Sequence, residues 1–561
     1  MRQQIDTLVR QTLAEMISDG SLPPAELPQE LVERPRQKNH GDWACTAALK
    51  LSKTMGINPQ DLAARLASRL ADDERIAGVE VAGPGFINLT LADAAWQEVI
   101  AEVVGQGGGF ARAAAGAGRR VNVEFISANP TGPMHVGHGR WAALGNALCN
   151  LLEHAGWQVT REFYINDAGH QMDVFANSVL LRYLEILGQP LAEPEEFYGG
   201  GYVADIARQI YEEEGDAWLE AADSSQADAR LEHFRERAYR LMLAQMQELC
   251  QRIDVPFDIW FSERTLYEPD QTGLIPINKM LDRLDGLGYL YEKDGATWFR
   301  STDFGDDKDR VLVKSDGSYT YFCPDIAYHL VKLERPGLES ASLVNIWGAD
   351  HHGYVARMQA ALAACGHADS LTVLLGQLVT LLRSGSVVRM SKRSGEMVSF
   401  QELVDEVGAD ATKYLMLGRA TDQPIDFDIE AAKQADNSNP VYYVQYAHAR
   451  ICSLFRKAAE RGIIASADDL ELLVDSSELE LARIFSRLPE LIEDAARDLA
   501  PYRLTHYAEE LATALHSFYT RCPVLTAEPR LAAARLYLSQ ATRSVLVLVL
   551  GLLGVSAPER M

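Results

Sequence analysis

Residues 124–140, E-F-I-S-A-N-P-T-G-P-M-H-V-G-H-G-R, constrain the fold more than any other stretch of the chain. The run Val121-Asn122-Val123-Glu124-Phe125 leading into it reads as a short buried strand. Leu144, Leu148, Leu151 and Leu152 follow it at helical spacing. A Pro- and Gly-rich turn between such a strand and helix is the joint of a doubly wound parallel sheet. There the turn lies at the carboxyl end of the strand, and unpaired N–H groups of the helix face an anion. Gly137 lets a ligand approach the backbone, and the flanking His135 and His138 can donate to phosphate oxygens without carrying a full fixed charge. Taken alone, H-x-x-H is better explained as a helix cap in a rigid loop.

A second stretch changes that balance. Arg389-Met390-Ser391-Lys392-Arg393-Ser394-Gly395 is a basic, Ser/Gly-rich loop between an apolar run (Leu371 to Leu382) and a helical pattern that begins near Gln401. Two loops suited to phosphate at the two ends of one α/β domain point to a nucleotide. His135-Val136-Gly137-His138 and Arg389-Met390-Ser391-Lys392 resemble the HIGH and KMSKS signatures of class I aminoacyl-tRNA synthetases. S-A-N-P-T-G-P-M-H-V-G-H-G-R and N-P-V-Y-Y-V-Q-Y-A-H-A-R-I are similar to the arginyl-tRNA synthetase family in particular. Arg389 and Arg393 depart from the signature, whereas its second lysine is retained as Lys392. Arginine keeps the charge but is planar and bulkier than the mobile point charge of lysine.

The resemblance implies ligation of L-arginine to tRNA(Arg) at the expense of ATP, with Mg²⁺ arriving on the nucleotide. It implies catalytic roles for His135, His138 and Lys392. ATP contacts fall on Ala128, Asn129, Pro130, Thr131, Gly132, Pro133, Met134, His135, Val136, Gly137 and His138, on Gly348, Asp350, His351 and His352, and on Met390, Ser391 and Lys392. Arginine contacts carry over to Glu124, Ser127, Asn129, Tyr321 and Asp325. Asp325 is expected at the guanidinium, because a buried cation needs carboxylate partners. The dipole of a helix start is the plainer explanation of an acid there. Competing readings are a class I synthetase for another amino acid, a non-tRNA nucleotidyltransferase, and a synthetase-like RNA-binding protein without catalysis.

Three or four domains are expected of 561 residues. Residues 1–104 mix helical periods with the breaks Pro23-Pro24 and Pro35 and end in a strand-like run, an N-terminal α/β domain. The Gly/Ala-rich stretch 105–120 reads as a mobile linker. A Rossmann-type doubly wound parallel sheet is expected over 121–436, with an insertion at about 185–300 carrying acidic helices. An all-α helix bundle over 437–561 is the anticodon-binding domain that the resemblance implies. Gly348-Ala349-Asp350-His351-His352-Gly353 invites a metal, yet no third ligand at helix spacing accompanies it, and a loop at the switch point that holds ATP fits better.

The formal charge of −26 sits uneasily with an RNA partner, so local basic patches must carry the contact. Candidates are Arg34, Arg36 and Lys38 near Trp43, and Tyr442, Tyr446 and Arg450 in the acid-free run Val441 to Lys457. Tyrosines at that spacing serve unstacked bases or the helix core about equally well. Seven scattered cysteines with no C-x-x-C indicate a reducing compartment and no disulfide framework. Met1 to Met16 lacks the apolar core of an export peptide, so a cytoplasmic protein is expected, and a monomer is expected alongside. Ser544 to Val555 is apolar but only a dozen residues long, which suits a buried helix and not a membrane span.

Overall fold

A computed structural model describes residues 1–35, 37, 40–189, 192–220, 224–339, 341–388 and 398–561. Five parallel strands form the central sheet, in the spatial order Leu371–Gly376, Ser342–Gly348, Arg120–Glu124, Gln158–Ile165, Ile259–Ser262. In chain order this is 5-4-1-2-3, so the direction of winding reverses between Arg120–Glu124 and Ser342–Gly348. That reversal opens the crevice in which such sheets bind ligands. The turn at 125–135 and the loop at 348–352 are its two lips.

Helix Val136–His154 covers the first strand at close range. Gly145 lies under the Phe125 ring, where a Cβ would come within 2.1 Å of a ring carbon, and a Cβ on Gly376 would come within 1.9 Å of the Trp141 ring. Gly145→Ala therefore sets a gain in helix propensity of about 1 kcal/mol against overpacking of about 1–3 kcal/mol. We expect a lower Tm for this variant. A melt at or above that of the parent would show that Phe125 can move aside.

Three elements differ from the sequence reading. The segment Ile259–Ser262, assigned to the insertion, is the fifth strand of the sheet and pairs with Glu162–Ile165. The helices Gly201–Glu214 and Ser224–Arg252 pack with His170–Ile186 as the crossover that precedes it. The apolar run 371–382 is two strands in two sheets, Leu371–Gly376 and Val379–Arg383, the latter paired with Ser386–Val387 and Ile425–Asp428. Apolarity marks both as buried but cannot show the change of sheet at Gln377. Finally, 105–120 is docked along its second half: Ala113, Gly116 and Gly118 donate to the carbonyls of His154, Ala155 and Gly156, and Phe110 is buried.

A hairpin, Ile76–Ala82 with Phe86–Leu91, dominates the N-terminal sheet and turns at Gly83-Pro84-Gly85. Helix Asp93–Gln106 seats this unit on the carboxyl-terminal bundle, against Ser476–Phe485 and Pro529–Leu552. The bundle is entirely helical from Pro440 onward, apart from connecting turns. Residues 544–552 fall at the end of its last helix, and no helix among the described residues is long and apolar enough to cross a membrane.

Candidate active site

His135 precedes the helix in extended conformation, and His138 lies in its first turn. The His135 backbone N–H donates to His138 Nδ1 at 3.1 Å. With Nδ1 accepting, the proton of a neutral His138 imidazole resides on Nε2. The two rings stack with centroids 3.7 Å apart and planes inclined at 21°. Gly137 makes room for this, since a Cβ there would lie 2.9 Å from His135 Cε1. The outcome is two imidazoles held as one unit beside the helix amino terminus, where backbone N–H groups already favour an anion.

The turn before the motif is strained: Ile126 and Ser127 have φ of 69° and 48°. A β-branched residue in that region persists only where its surroundings over-determine it, which is common at functional sites. Here the Ser127 hydroxyl donates to Glu124 Oε1 at 3.1 Å and accepts from the Tyr164 N–H at 3.2 Å. Glu124 Oε2 in turn accepts from Lys332 Nζ at 2.8 Å and from Asn345 Nδ2 at 3.0 Å. Lys332 is fully buried. Glu124 and Asn345 are register partners on the two strands that flank the switch point. A buried pair of this kind is stable only if its remaining hydrogen-bonding capacity is met. Asn345 meets part of it, accepting from Lys332 Nζ at 3.2 Å and reaching His329 Nε2 at 3.0 Å.

Asp325 lies in the first turn of helix Phe322–Glu334, and its carboxylate accepts from the Tyr354 hydroxyl. Burial pushes it up to about 7; the Tyr354 bond opposes the rise, and the charges of Glu263 and Glu124 add to it. Glu263, immediately after the strand Ile259–Ser262, is also raised by burial, against the hydrogen bonds of Tyr164 and Tyr267. Neither Asp325 nor Glu263 makes an ion pair among the described residues. A half-buried and a buried carboxyl held above their ordinary range, with phenols as their hydrogen-bond partners among the described residues, are the kind of groups that a cationic ligand stabilises in their charged form. Sequence reasoning does not reach Glu263: an acid at the carboxyl end of a strand is its only signal, and by sequence that strand reads as part of the insertion.

Asn129 and Tyr321 line a cleft of about 1610 Å³ together with Gln171, Glu263, Arg264 and Tyr319. Asn129 Nδ2 donates to Gln171 Oε1 at 2.6 Å, and Tyr321 is 88% exposed. In the motif loop Ala128, Pro130, Thr131, Met134 and Val136 are buried, Gly132 is half-buried and Pro133 exposed. The Tyr202 hydroxyl pins the loop through the Thr131 carbonyl at 2.9 Å. Across the crevice Gly348 is half-buried, and Asp350, His351 and His352 are exposed, with His351 Nε2 3.6 Å from Asp350. A Cβ on Gly348 would meet Asp350 Oδ1 at 2.5 Å, a contact that the exposed Asp350 side chain can relieve by turning away. Arg389, Met390, Ser391, Lys392 and Arg393 lie outside the described residues.

The expected RNA-contacting residues divide. Arg36 and Lys38 lie outside the described residues. Arg34 is turned into the domain junction, 4.3 Å over the Trp43 ring and 3.4 Å from Glu490 of the bundle. Tyr442 and Tyr446 line a hollow of about 610 Å³ with Arg450, their rings nearly parallel with centroids 6.0 Å apart. Arg450 leans 3.8 Å over Tyr519 and bonds His516 at 3.3 Å.

Comparison with known proteins accords with this geometry. Residues 3–91 match the arginyl-tRNA synthetase N-terminal domain, 100–452 the class I tRNA synthetase (R) catalytic domain, and 444–561 the DALR anticodon-binding domain. An arginine–tRNA ligase of Halorhodospira halophila is 46% identical, and one of a Geobacter species 43% identical, each alignment covering 100% of both chains. The arginyl-tRNA synthetase structure from Thermus thermophilus shares the fold, with a TM-score of 0.72 at 24% identity over 100% of both chains. With catalytic, N-terminal and anticodon-binding domains all matched and full-length relatives above 40% identity, the chain belongs to the arginyl-tRNA synthetase family of class I aminoacyl-tRNA synthetases.

Proposed function

We propose that the chain joins L-arginine to tRNA(Arg) in two steps, as a monomer in the cytoplasm. The observation that carries arginine as the amino acid is the presence of two carboxyls, the half-buried Asp325 and the buried Glu263, without an ion-pair partner among the described residues. A guanidinium is planar and presents its donors in a fixed fork that matches carboxylates side by side, a geometry that the point charge of an ammonium does not reproduce and an apolar side chain lacks. Asn129 and Tyr321 line the same cleft as Glu263, and with Ser127 they are our candidates for the α-amino and α-carboxylate end.

In the first step an α-carboxylate oxygen of arginine attacks the α-phosphorus of ATP, and pyrophosphate leaves. No protein nucleophile is needed. Catalysis is positioning together with stabilisation of the negative charge that grows on the phosphate oxygens. His138 donates through Nε2, the nitrogen left protonated when Nδ1 accepts from the His135 backbone. The helix amino terminus adds its N–H groups, and Lys392 supplies a cation. Gly348, Asp350 and His351 border the ribose and adenine side. In the second step a terminal ribose hydroxyl of the tRNA attacks the activated carbonyl and AMP leaves. Magnesium enters with ATP, because this ion usually keeps several waters and is held largely through phosphates. Among the described residues no group of three or more His, Cys, Asp or Glu could hold a metal ion, and we assign the chain no ligand for it.

Tyr442 and Tyr446 are our candidates for stacking with unpaired bases of the tRNA. Charging of total tRNA with each of the twenty amino acids in turn tests the assignment. Arginine alone is expected to give product. Equal or better charging with another amino acid would overturn the reading of the acidic pair.

A further inference from the structure

Arg140, the last residue of the motif stretch, has no part in the chemistry above, yet its surroundings are unusual. It is 1% exposed, and among the described residues its hydrogen-bond partners are backbone carbonyls, with no carboxylate. Nη1 donates to Gln377 at 2.7 Å, and Nη2 donates to Ala420 at 3.0 Å and Gln423 at 2.8 Å. Burial lowers the guanidinium to about 10, opposed by the charge of Asp422, which leaves it cationic at neutral pH. A buried cation is costly unless its donors are met, so this one holds its three acceptors firmly.

Those acceptors sit where the nucleotide sheet gives way to the smaller sheet. Gln377 lies between Leu371–Gly376 and Val379–Arg383, and residues 420–423 lead into Ile425–Asp428, which pairs with Val379–Leu382 in parallel register. The hairpin Val379–Arg383 with Ser386–Val387 then leads directly toward Lys392. Beyond residue 397 the chain returns to the same helix. Ser399 bridges His135, the Phe400 N–H donates to the Met134 carbonyl at 2.7 Å, and the Phe400 ring covers Gly139, where a Cβ would come within 2.6 Å of it. The segments on both sides of 389–397 are therefore fastened to residues 134–140 at the start of the motif helix, one through Arg140 and the other through Met134, His135 and Gly139.

We propose that Arg140 is a positioning residue: it fixes the base of the hairpin that leads to Lys392 onto the helix that carries His135 and His138, so that the two phosphate-handling segments act on one nucleotide. This rests on the reading of Lys392 as a phosphate-stabilising group. The planar fork explains why arginine occupies the place, because one lysine ammonium could not reach carbonyls from two chain segments in the same geometry.

A double-mutant cycle tests this, using full-length enzyme with tRNA present and single-turnover formation of arginyl-tRNA under conditions where adenylate formation is limiting. Arg140→Met is expected to slow the step by about 10²-fold, the scale of losing one preorganised stabilising group, while KM for arginine changes by less than about threefold. If Arg140 acts through Lys392, the same substitution made in Lys392→Ala costs less than about threefold further, because residues that act as one unit are not additive. Arg140→Lys, which keeps the charge and one acceptor, repeats the cycle in a milder form should the methionine variant fail to fold, and is expected to show the same non-additivity. Losses that multiply across the cycle would overturn the proposal while leaving the role of Lys392 intact. A Lys392→Ala enzyme with the parent rate would overturn that role and the proposal with it.

Discussion

Asp325→Asn is expected to lower kcat/KM for arginine by about 10³-fold or more, while KM for ATP stays within about threefold. A site built to pair a charged group rejects whatever fails to pair with it, because its own buried polar atoms are then left unmet. Asparagine keeps the shape and one acceptor, so the packing around Tyr354 survives and the lost property is charge. Without arginine the variant should be more stable than the parent at neutral pH. Burial raises the Asp325 carboxyl to about 7, whereas an exposed aspartate titrates at about 3.9. A carboxyl raised in the folded state contributes stability that is fully present below the unfolded value and is lost as pH rises through the folded one. At pH 8 the parent bears that loss and the variant does not, so Tm should rise by about 2–4 °C. As pH falls from 7 toward 4 the difference should shrink. The same titration governs the substrate: a guanidinium needs the ionised carboxyl, so KM for arginine in the parent should rise as pH falls below about 7. Thermal melts across pH together with initial rates at varied arginine and ATP separate these effects. Equal losses for arginine and ATP, or a less stable variant at pH 8, would sink the assignment.

The second large effect is expected at His138. Its Nδ1 accepts from the His135 backbone and its ring lies against that of His135. His138→Ala therefore removes a donor aimed by two constraints and not a swinging side chain. Loss of one preorganised donor to a developing oxyanion costs about 10²- to 10³-fold. We expect adenylate formation to slow by that factor, with KM for arginine little changed and a loss of stability of no more than about 1 kcal/mol from the missing cap. His138→Asn offers a discriminating control: its side chain can still accept from the His135 N–H, and it presents an amide donor from a shorter reach. It should recover the stability but only part of the rate. A His138→Ala protein that melts early yet reacts at the parent rate per folded molecule would show that the residue is a cap and nothing more.

The relation between sequence and structure is clearest in the segments around these residues. Local chemistry determined the strand, turn and helix at 120–154: an apolar run, a Pro/Gly turn and leucines at helical spacing can satisfy their backbone and bury their apolar atoms in one way only. The same holds for the all-helical character after Pro440 and for the placement of Asp325 in a first helical turn; the run that ends at Leu91 reads as a single strand, whereas the fold turns it at Gly83-Pro84-Gly85 into a hairpin. Tertiary structure decided matters that depend on partners distant in the chain. Whether Ile259–Ser262 is an insertion or the fifth strand depends on its pairing with residue 162 onward, and a four-residue apolar stretch carries no record of its neighbour. The burial of Glu263 follows from that pairing, and so does the acidic pair it makes with Asp325. Arg34 looked like a surface cation because nothing within a few residues could bind it; Glu490 does so across the domain junction. Arg140 likewise finds all three acceptors more than 200 positions away. Periodicity and turn chemistry report what a residue does to its own backbone, and they therefore located the motif. Charges act through space on whatever the fold brings near, so only the folded chain shows which of them are paired, which are left waiting for a substrate, and which hold the site together.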